Sequence, residues 1–324
     1  MGHIVLLDAG GTISSQPDGD GALAASHASD RLAAMIPQAG VPVRTRQVHS
    51  GLSEAMDFAD MAAIVSAVVA AQADPEVDGV VVAHGTDIME EVAFLADLMI
   101  VGDKPVVFTG AARAAGRSRF DGPQNLRDAV TAAASPALVG SGVTIAFAGR
   151  LIPARQAVKV HTSDRRAFRP RDGREGKVLG RTVVPLAIIG RPAPLPLVAP
   201  AGAVELVALG AGSNGALIRA AAGLGLKGLV LCALGRGNVG PAVLEAVKAA
   251  IAAGLVVVVA SRCPEGRSAP DYATGLALKR AGAIFADDLG SSQARILLAV
   301  LLAVHGSAEA AGAAFRDWAQ PPGM

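Results

Sequence analysis

The sequence is short of the residues that several binding chemistries require. It has two cysteines, Cys232 and Cys263, one Trp and one Tyr. With no CxxC and no Cys/His cluster, two thiols make neither a disulfide framework nor a structural zinc site. They read as free thiols in a reducing compartment. Aromatics at 3% argue against base-stacking platforms and aromatic cages. No charge of one sign dominates: 29 Lys and Arg face 28 Asp and Glu, so neither nucleic acid nor an anionic membrane surface is an expected partner. No basic region followed by an apolar stretch and a cleavage site precedes the first strand-like run. The notable uncharged window, between Asp128 and Arg150, is broken by Pro136 and several glycines and does not read as a membrane span. A soluble, cytoplasmic protein is expected.

What is present is apolar mass. Hydrophobic residues make up 52% of 324 and charged ones 18%, enough for two domains with cores of their own and too apolar for a disordered chain. Continuous apolar runs of strand length recur at 3–8, 79–84, 105–109, 142–147, 204–209, 228–234, 255–260 and 283–286. Continuity rather than alternation predicts strands buried on both faces. Helical patterns fall between most of them, at 57–71, 89–99, 123–134, 241–253 and 291–304. Pro123 and Pro241 sit where first helical turns begin, and Gly254 follows a helix end. Strand and helix in alternation predict parallel sheets. The stretch 183–203 holds five prolines and no acid and reads as an extended linker. The predicted domains are therefore 1–183 and 204–324, with 184–203 between them.

Two segments carry candidate chemistry. At 7–13, LDAGGTI, a buried strand runs into two glycines and a hydroxyl. Glycines let backbone N–H groups approach a reacting oxygen, so Thr12 is a candidate nucleophile beside an oxyanion cradle. A tight turn capped by Thr12 explains the same residues, as does the first phosphate loop of a sugar-kinase-like phosphotransferase. At 84–91, HGTDIMEE again follows a strand and opens a helix. Thr86 and Asp87 there are either ordinary helix caps or the second half of a cleft to which two strand ends contribute Gly-Thr.

The order of motifs resembles the bacterial-type L-asparaginases and asparaginase-glutaminases. The resemblance rests on GGTI at 10–13 and HGTD-x-MEE at 84–91. It continues through KPVVFTGA at 104–111, DGPQNL at 121–126, QAVKVHTSD at 156–164, GRGN at 235–238 and the Ser261-Arg262 pair. It implies a two-domain α/β fold: a larger N-terminal parallel-sheet domain and a smaller, flavodoxin-like C-terminal domain that completes the neighbouring subunit's site. It also implies a homotetramer built as a dimer of dimers, with no metal or organic cofactor. The implied activity is hydrolysis of L-asparagine to L-aspartate and ammonia through an acyl-enzyme, with glutamine a slower substrate. Thr12 would be the nucleophile, and Thr86, Lys159 and Asp87 a hydroxyl–amine–carboxylate relay. Main-chain N–H groups near Gly11 and Thr86 would hold the oxyanion. Ser53, Glu54 and Asp87 would anchor the α-carboxylate and α-ammonium, with Gly11, Gly85, Ala111 and Asn238 completing the substrate site.

Plain structural readings stand beside these roles. Ser53 starts a helix, Asn238 caps one, Lys159 is a surface lysine, and the basic run 165–174 is a solvated loop. The chain also departs from the family pattern. The loop 13–26 has no tyrosine, and no glutamate stands near Gly275 where a partner-contributed one is expected; Ser14, Ser15 and His27 are candidate substitutes. These departures keep open a non-catalytic amino-acid-binding relative. An amidase subunit serving a tRNA-dependent amidotransferase is set aside because no extra domain precedes the first motif. The residues assign no role to His3, His84 or His161.

Overall fold

The computed structural model describes residues 2–13, 16–17, 23–24, 29–36, 40–113, 119–185 and 192–319. The chain divides into two compact units, Met1–Leu197 and Val198–Met324.

In the first unit the elements run β1 (His3–Asp8), β2 (Gln16–Pro17), β3 (Leu23–Ala24), α1 (Ser29–Ala34), β4 (Val43–Gln47), α2 (Phe58–Ala73), β5 (Val77–Ala83) and α3 (Met89–Met99). They continue through β6 (Val106–Thr109), α4 (Gly122–Ala133), β7 (Val143–Phe147), β8 (Arg150–Pro153), β9 (Ala157–Lys159), β10 (Phe168–Pro170), β11 (Gly176–Leu179) and β12 (Thr182–Val184). Eight strands form one sheet in the order β12-β11-β8-β7-β6-β5-β1-β4, while β2-β3 and β9-β10 are separate pairs.

The sheet is parallel from β4 through β7, as expected for apolar runs covered on both faces. Ile4, Leu6, Val81, Ala83 and Val107 meet α4 through Leu126, Ala129 and Val130. Alternation turns the intervening side chains to the opposite face, where α2 and α3 lie against β5 and β7. The expected parallel sheet is extended beyond β7 in a way the apolar runs did not show. There β8, β11 and β12 are added antiparallel, so the sheet is mixed. The cause is local. Ala148 and Gly149 both have positive φ, 51° and 75°, the primed two-residue turn that folds a strand back on its neighbour. Gly180 at φ 63° opens the next hairpin. Asn125 supports the strained Ala148 by accepting its N–H at 3.0 Å.

The basic run 165–174 is also more than a solvated loop. Phe168–Pro170 pairs antiparallel with β9, with Phe168 opposite Lys159, and Ala167, Phe168 and Arg171 are buried. The inward Phe168 ring stands 5.1 Å from that of Phe147, edge to face.

The second unit contains β13 (Val204–Ala208), α5 (Ala216–Gly223), β14 (Gly228–Ala233), α6 (Pro241–Ala252), β15 (Val256–Ser261), α7 (Ala273–Arg280), β16 (Ile284–Phe285), α8 (Ser291–His305) and α9 (Ala308–Ala319). Its four strands are parallel in sequential order, β13-β14-β15-β16. The layered parallel sheet expected of a flavodoxin-like domain is present, without that fold's strand exchange. Leu229, Leu231, Val257 and Val259 meet Ile218, Val243, Val247 and Leu278, and α8 and α9 also lie against the sheet. Among the described residues no helix is long and apolar enough to cross a membrane.

Candidate active site

The carboxyl ends of β4, β1, β5 and β6 lie side by side, and four loops leave them. Ligands of open parallel sheets bind at such strand ends. Gly10 and Gly11 have φ of 79° and 82°, a turn that L side chains rarely adopt. Asp8 closes this turn by accepting the Gly10 N–H at 3.0 Å. The packing also demands glycine. A Cβ on Gly10 would lie 2.4 Å from the Gly51 carbonyl oxygen, and one on Gly11 would lie 2.2 Å from the Gly85 Cα. A Cβ on Gly85 would in turn meet Ser53 Oγ at 2.4 Å. Three backbones therefore touch where Thr12, Thr86 and Ser53 follow or stand, which brings Gly11, Gly85 and Ser53 to one place.

The Gly11 N–H donates to the Gly51 carbonyl at 3.2 Å and so ties the loop after β1 to the loop after β4. Ser53 is buried, in a 3-10 turn whose N-cap is Leu52. It does not start the following helix: Asp57 caps α2 with a full capping box. Glu54, next in the turn, is exposed. The loop after β6 closes the other side. A Cβ on Gly110 would meet the His84 carbonyl oxygen at 2.4 Å, and Ala111 is buried. Asn125 holds that loop by donating to the Gly110 carbonyl at 2.9 Å and to Asp121 Oδ2 at 3.1 Å. Asp121 accepts the N–H groups of Ala112 and Arg113 at 3.2 and 3.0 Å.

The loop after β5 holds the polar cluster. Helix α3 begins at Met89 with Ile88 as its N-cap and no side-chain capping bond, so the capping explanation for Thr86 and Asp87 fails. They meet Lys159 instead. Its Nζ donates to Thr86 Oγ1 at 2.9 Å and to Asp87 Oδ1 at 2.5 Å. Lys159 is not a surface lysine, since only 15% of its side chain is exposed. The sequence offered no sign of what fixes its backbone. Glu90, in the first turn of α3, accepts the Lys159 N–H at 2.5 Å. Burial pushes the Glu90 carboxyl up to about 7, against the Lys159 N–H bond, which lowers it. His84 is fully buried and held near 4 by desolvation, with Nδ1 2.6 Å from the Gly85 carbonyl. It is a neutral wedge beneath the loop.

Asn238 lies in the second unit, after β14. The N-cap of α6 is Gly240, not Asn238. Asn238 Oδ1 accepts from Thr274 Oγ1 at 3.2 Å. At Gly275, a Cβ would meet the Pro270 Cα at 2.9 Å. Residues 14, 15 and 27, and most of the loop 13–26, lie outside the described residues.

Comparison with known proteins agrees with this arrangement. Residues 3–184 match the family model described as "Asparaginase, N-terminal", and residues 203–315 match "Glutaminase/Asparaginase C-terminal domain". The chain belongs to the asparaginase family. It is therefore an amidohydrolase, and the phosphate-loop reading of residues 8–12 is set aside. Among its asparaginase relatives is the L-asparaginase of Bacillus licheniformis, 33% identical over 93% of this chain and 96% of the relative. The probable L-asparaginase of Deinococcus radiodurans is 35% identical over 95% of each. The crystal structure of a probable cytoplasmic L-asparaginase from Campylobacter jejuni superposes with a TM-score of 0.87. It is 28% identical and covers 97% of this chain and 99% of that one.

Proposed function

We propose that the chain hydrolyses the side-chain amide of L-asparagine to L-aspartate and ammonia, through a threonyl ester on Thr12. The observation that carries this reading is the Lys159 ammonium bonded to both Thr86 Oγ1 and Asp87 Oδ1, one residue beyond the contact between the Gly11 and Gly85 loops. A hydroxyl tied to an amine that is tied to a carboxylate is a route for moving one proton, and simple amino-acid binding has no use for it.

In this mechanism the Thr12 hydroxyl attacks the amide carbon and its proton passes to the departing nitrogen. The C–N bond breaks and ammonia leaves. Water then attacks the ester, its proton passing along Thr86 and Lys159, each of which gives up one proton as it takes one in, and the departing Thr12 oxygen receives the last. With the Gly11 N–H engaged by Gly51, the main-chain donors for the oxyanion are those of Thr12 and Thr86. Losing one such donor typically costs about 3 kcal/mol of transition-state stabilisation. Ser53 donates to the substrate α-carboxylate, while Glu54 and Asp87 receive the α-ammonium. Asn238, oriented by Thr274, acts across a subunit interface in a cytoplasmic homotetramer built as a dimer of dimers. Glutamine is a second, slower substrate in this reading; a relative from Pseudomonas aeruginosa carries the name glutaminase-asparaginase.

The test is ammonia release from L-asparagine, D-asparagine and L-glutamine by the wild type, Thr12→Ala and Lys159→Met. Turnover of L-asparagine that disappears in both variants, with both folded, is expected. Full activity in folded Thr12→Ala would sink the nucleophile assignment.

A further inference from the structure

We propose that Glu90 is the positioning residue of the relay, its buried carboxylate fixing the Lys159 main chain and so the place of the ammonium between Thr86 and Asp87. The inference rests on the reading of Lys159 as the relay amine.

The argument starts from the geometry of β9. It is three residues long and pairs with one neighbour, β10. In this ribbon the Val160 N–H donates to the Ala167 carbonyl. N–H groups alternate sides along a strand, so the Lys159 N–H points away from β10, at the open edge of the pair. A half-buried main-chain donor at such an edge, turned from both its strand partner and open water, is satisfied by a side chain. Its partner is a carboxylate 69 residues away, on the first turn of the helix that follows Thr86 and Asp87. Ile88 and Met89 alone separate Asp87 from Glu90, so the loop that carries the two relay groups runs directly into the helix that carries the anchor. Both ends of the lysine are thereby referred to one short continuous segment, 86–90: Nζ through Thr86 and Asp87, and the backbone through Glu90. A charge-assisted bond of this kind is about twice as strong as a neutral one.

The price of this arrangement is visible in the electrostatics. Glu90 is desolvated and sits beside Glu91, and only Lys159 among its Coulombic neighbours favours its ionised form. Of the elements packed on α3, β7 carries no charged side chain. Helix α2 carries Asp60, which is used in the capping box and lies 3.7 Å from His49 Nδ1. The 3-10 turn Ala154–Gln156 brings the buried Arg155. A carboxylate kept in such surroundings against its own solvation, on the lysine's one outward donor, is placed for geometry.

The test is steady-state kinetics across pH for Glu90→Gln, Glu90→Ala and Lys159→Met, each with a folding check by circular dichroism and melting. Glu90→Ala is expected to lose about 10- to 100-fold in kcat, with KM within about twofold, as misplacement of a reacting group by an ångström does. Glu90→Gln keeps an acceptor oxygen, so above pH 8 its kcat is expected to stay within about threefold of wild type. The wild-type kcat is expected to fall below about pH 7, where Glu90 takes up a proton, by no more than the roughly threefold that separates it from Glu90→Gln, because a protonated carboxyl keeps one acceptor oxygen as the amide does, and Glu90→Gln is expected to lack that limb. Folded Glu90→Ala with wild-type kcat overturns the inference, as does folded Glu90→Gln as inactive as Glu90→Ala. If Glu90→Ala does not fold, an unchanged acid limb in Glu90→Gln overturns it. Full activity in Lys159→Met would instead overturn the relay itself, whatever the Glu90 variants do.

Discussion

Gly11 and Gly85 touch backbone to backbone: a methyl group on Gly11 would stand 2.2 Å from the Gly85 Cα and 2.3 Å from its nitrogen. This contact brings the loops after β1 and β5 together. Gly11→Ala is expected to push the two loops apart and to strain a residue at φ 82°, at a cost of about 1–3 kcal/mol from overpacking alone. Activity should fall more than stability, because Thr12 and Thr86 are the next residues on either loop. Gly85→Ala would displace the Ser53 side chain, 2.4 Å from the new methyl, and is expected chiefly to raise KM for L-asparagine. Steady-state kinetics with a melting curve for each variant separates the two effects. Wild-type kinetics in Gly11→Ala would show that the contact is dispensable.

Stability should depend on pH through two buried groups of opposite sign. Glu90 is raised from 4.5 to about 7. Its folded state therefore holds a proton that the unfolded chain has lost, and its contribution is complete below pH 4.5 and gone above 7. His84 is lowered from 6.5 to about 4, so its contribution is complete above pH 6.5 and is lost as pH falls through 4. Each spans about 3 kcal/mol, and between pH 4.5 and 6.5 the slopes oppose. Urea unfolding at a series of pH values should show Glu90→Gln gaining on the wild type as pH rises through that window, with the gain levelling above pH 7. A flat difference curve would mean that Glu90 titrates as it does in the unfolded chain.

Asn125 joins three loops with one side chain. It donates to the Gly110 carbonyl and to Asp121, and it accepts from the Ala148 N–H. Removing it leaves buried donors and acceptors without partners, at about 1–3 kcal/mol each. Asn125→Ala is expected to lower stability by several kcal/mol and to loosen the loop that carries Ala111. Denaturant midpoints and KM report the two consequences, and a midpoint within 0.5 kcal/mol equivalents of wild type, about the effect of an ordinary surface change, would contradict the role given to this residue.

The legible parts of the chain were those whose burial leaves a long trace. The run HIVLLD coincides with β1 and the pattern MEEVAFLADLM with α3, because strands covered on both faces and helices of three turns write their surroundings into every position. The short strands did not. Val43–Gln47 reads VRTRQ, an edge strand whose side chains are mostly exposed, and nothing apolar marks it. β8 to β12 are three or four residues each and are held by turns, so Ala148 at positive φ gave no warning of the hairpin. The candidate site divides in the same way. Thr12, Thr86 and Asp87 follow visible strands, whereas Lys159 was credible only through family resemblance, since its partners lie 72 and 73 residues away. Glu90 stood inside the motif at 84–91 with no role attached. An acid in the first turn of a helix is ordinary macrodipole chemistry, and its bond to a distant backbone is a tertiary fact.

The crowding at Gly275 has a consequence for any side chain placed there. A side chain there would meet the Pro270 backbone at 2.9 Å, and a proline main chain yields little. A single codon change toward glutamate is therefore opposed before the new carboxylate can do anything useful. The segment from Pro270 into the start of α7 would have to shift first, and Thr274, which bonds Asn238, lies in that first turn. The glycine and the Asn238 support are thus coupled: whatever opens room at position 275 disturbs the hydroxyl that holds the amide.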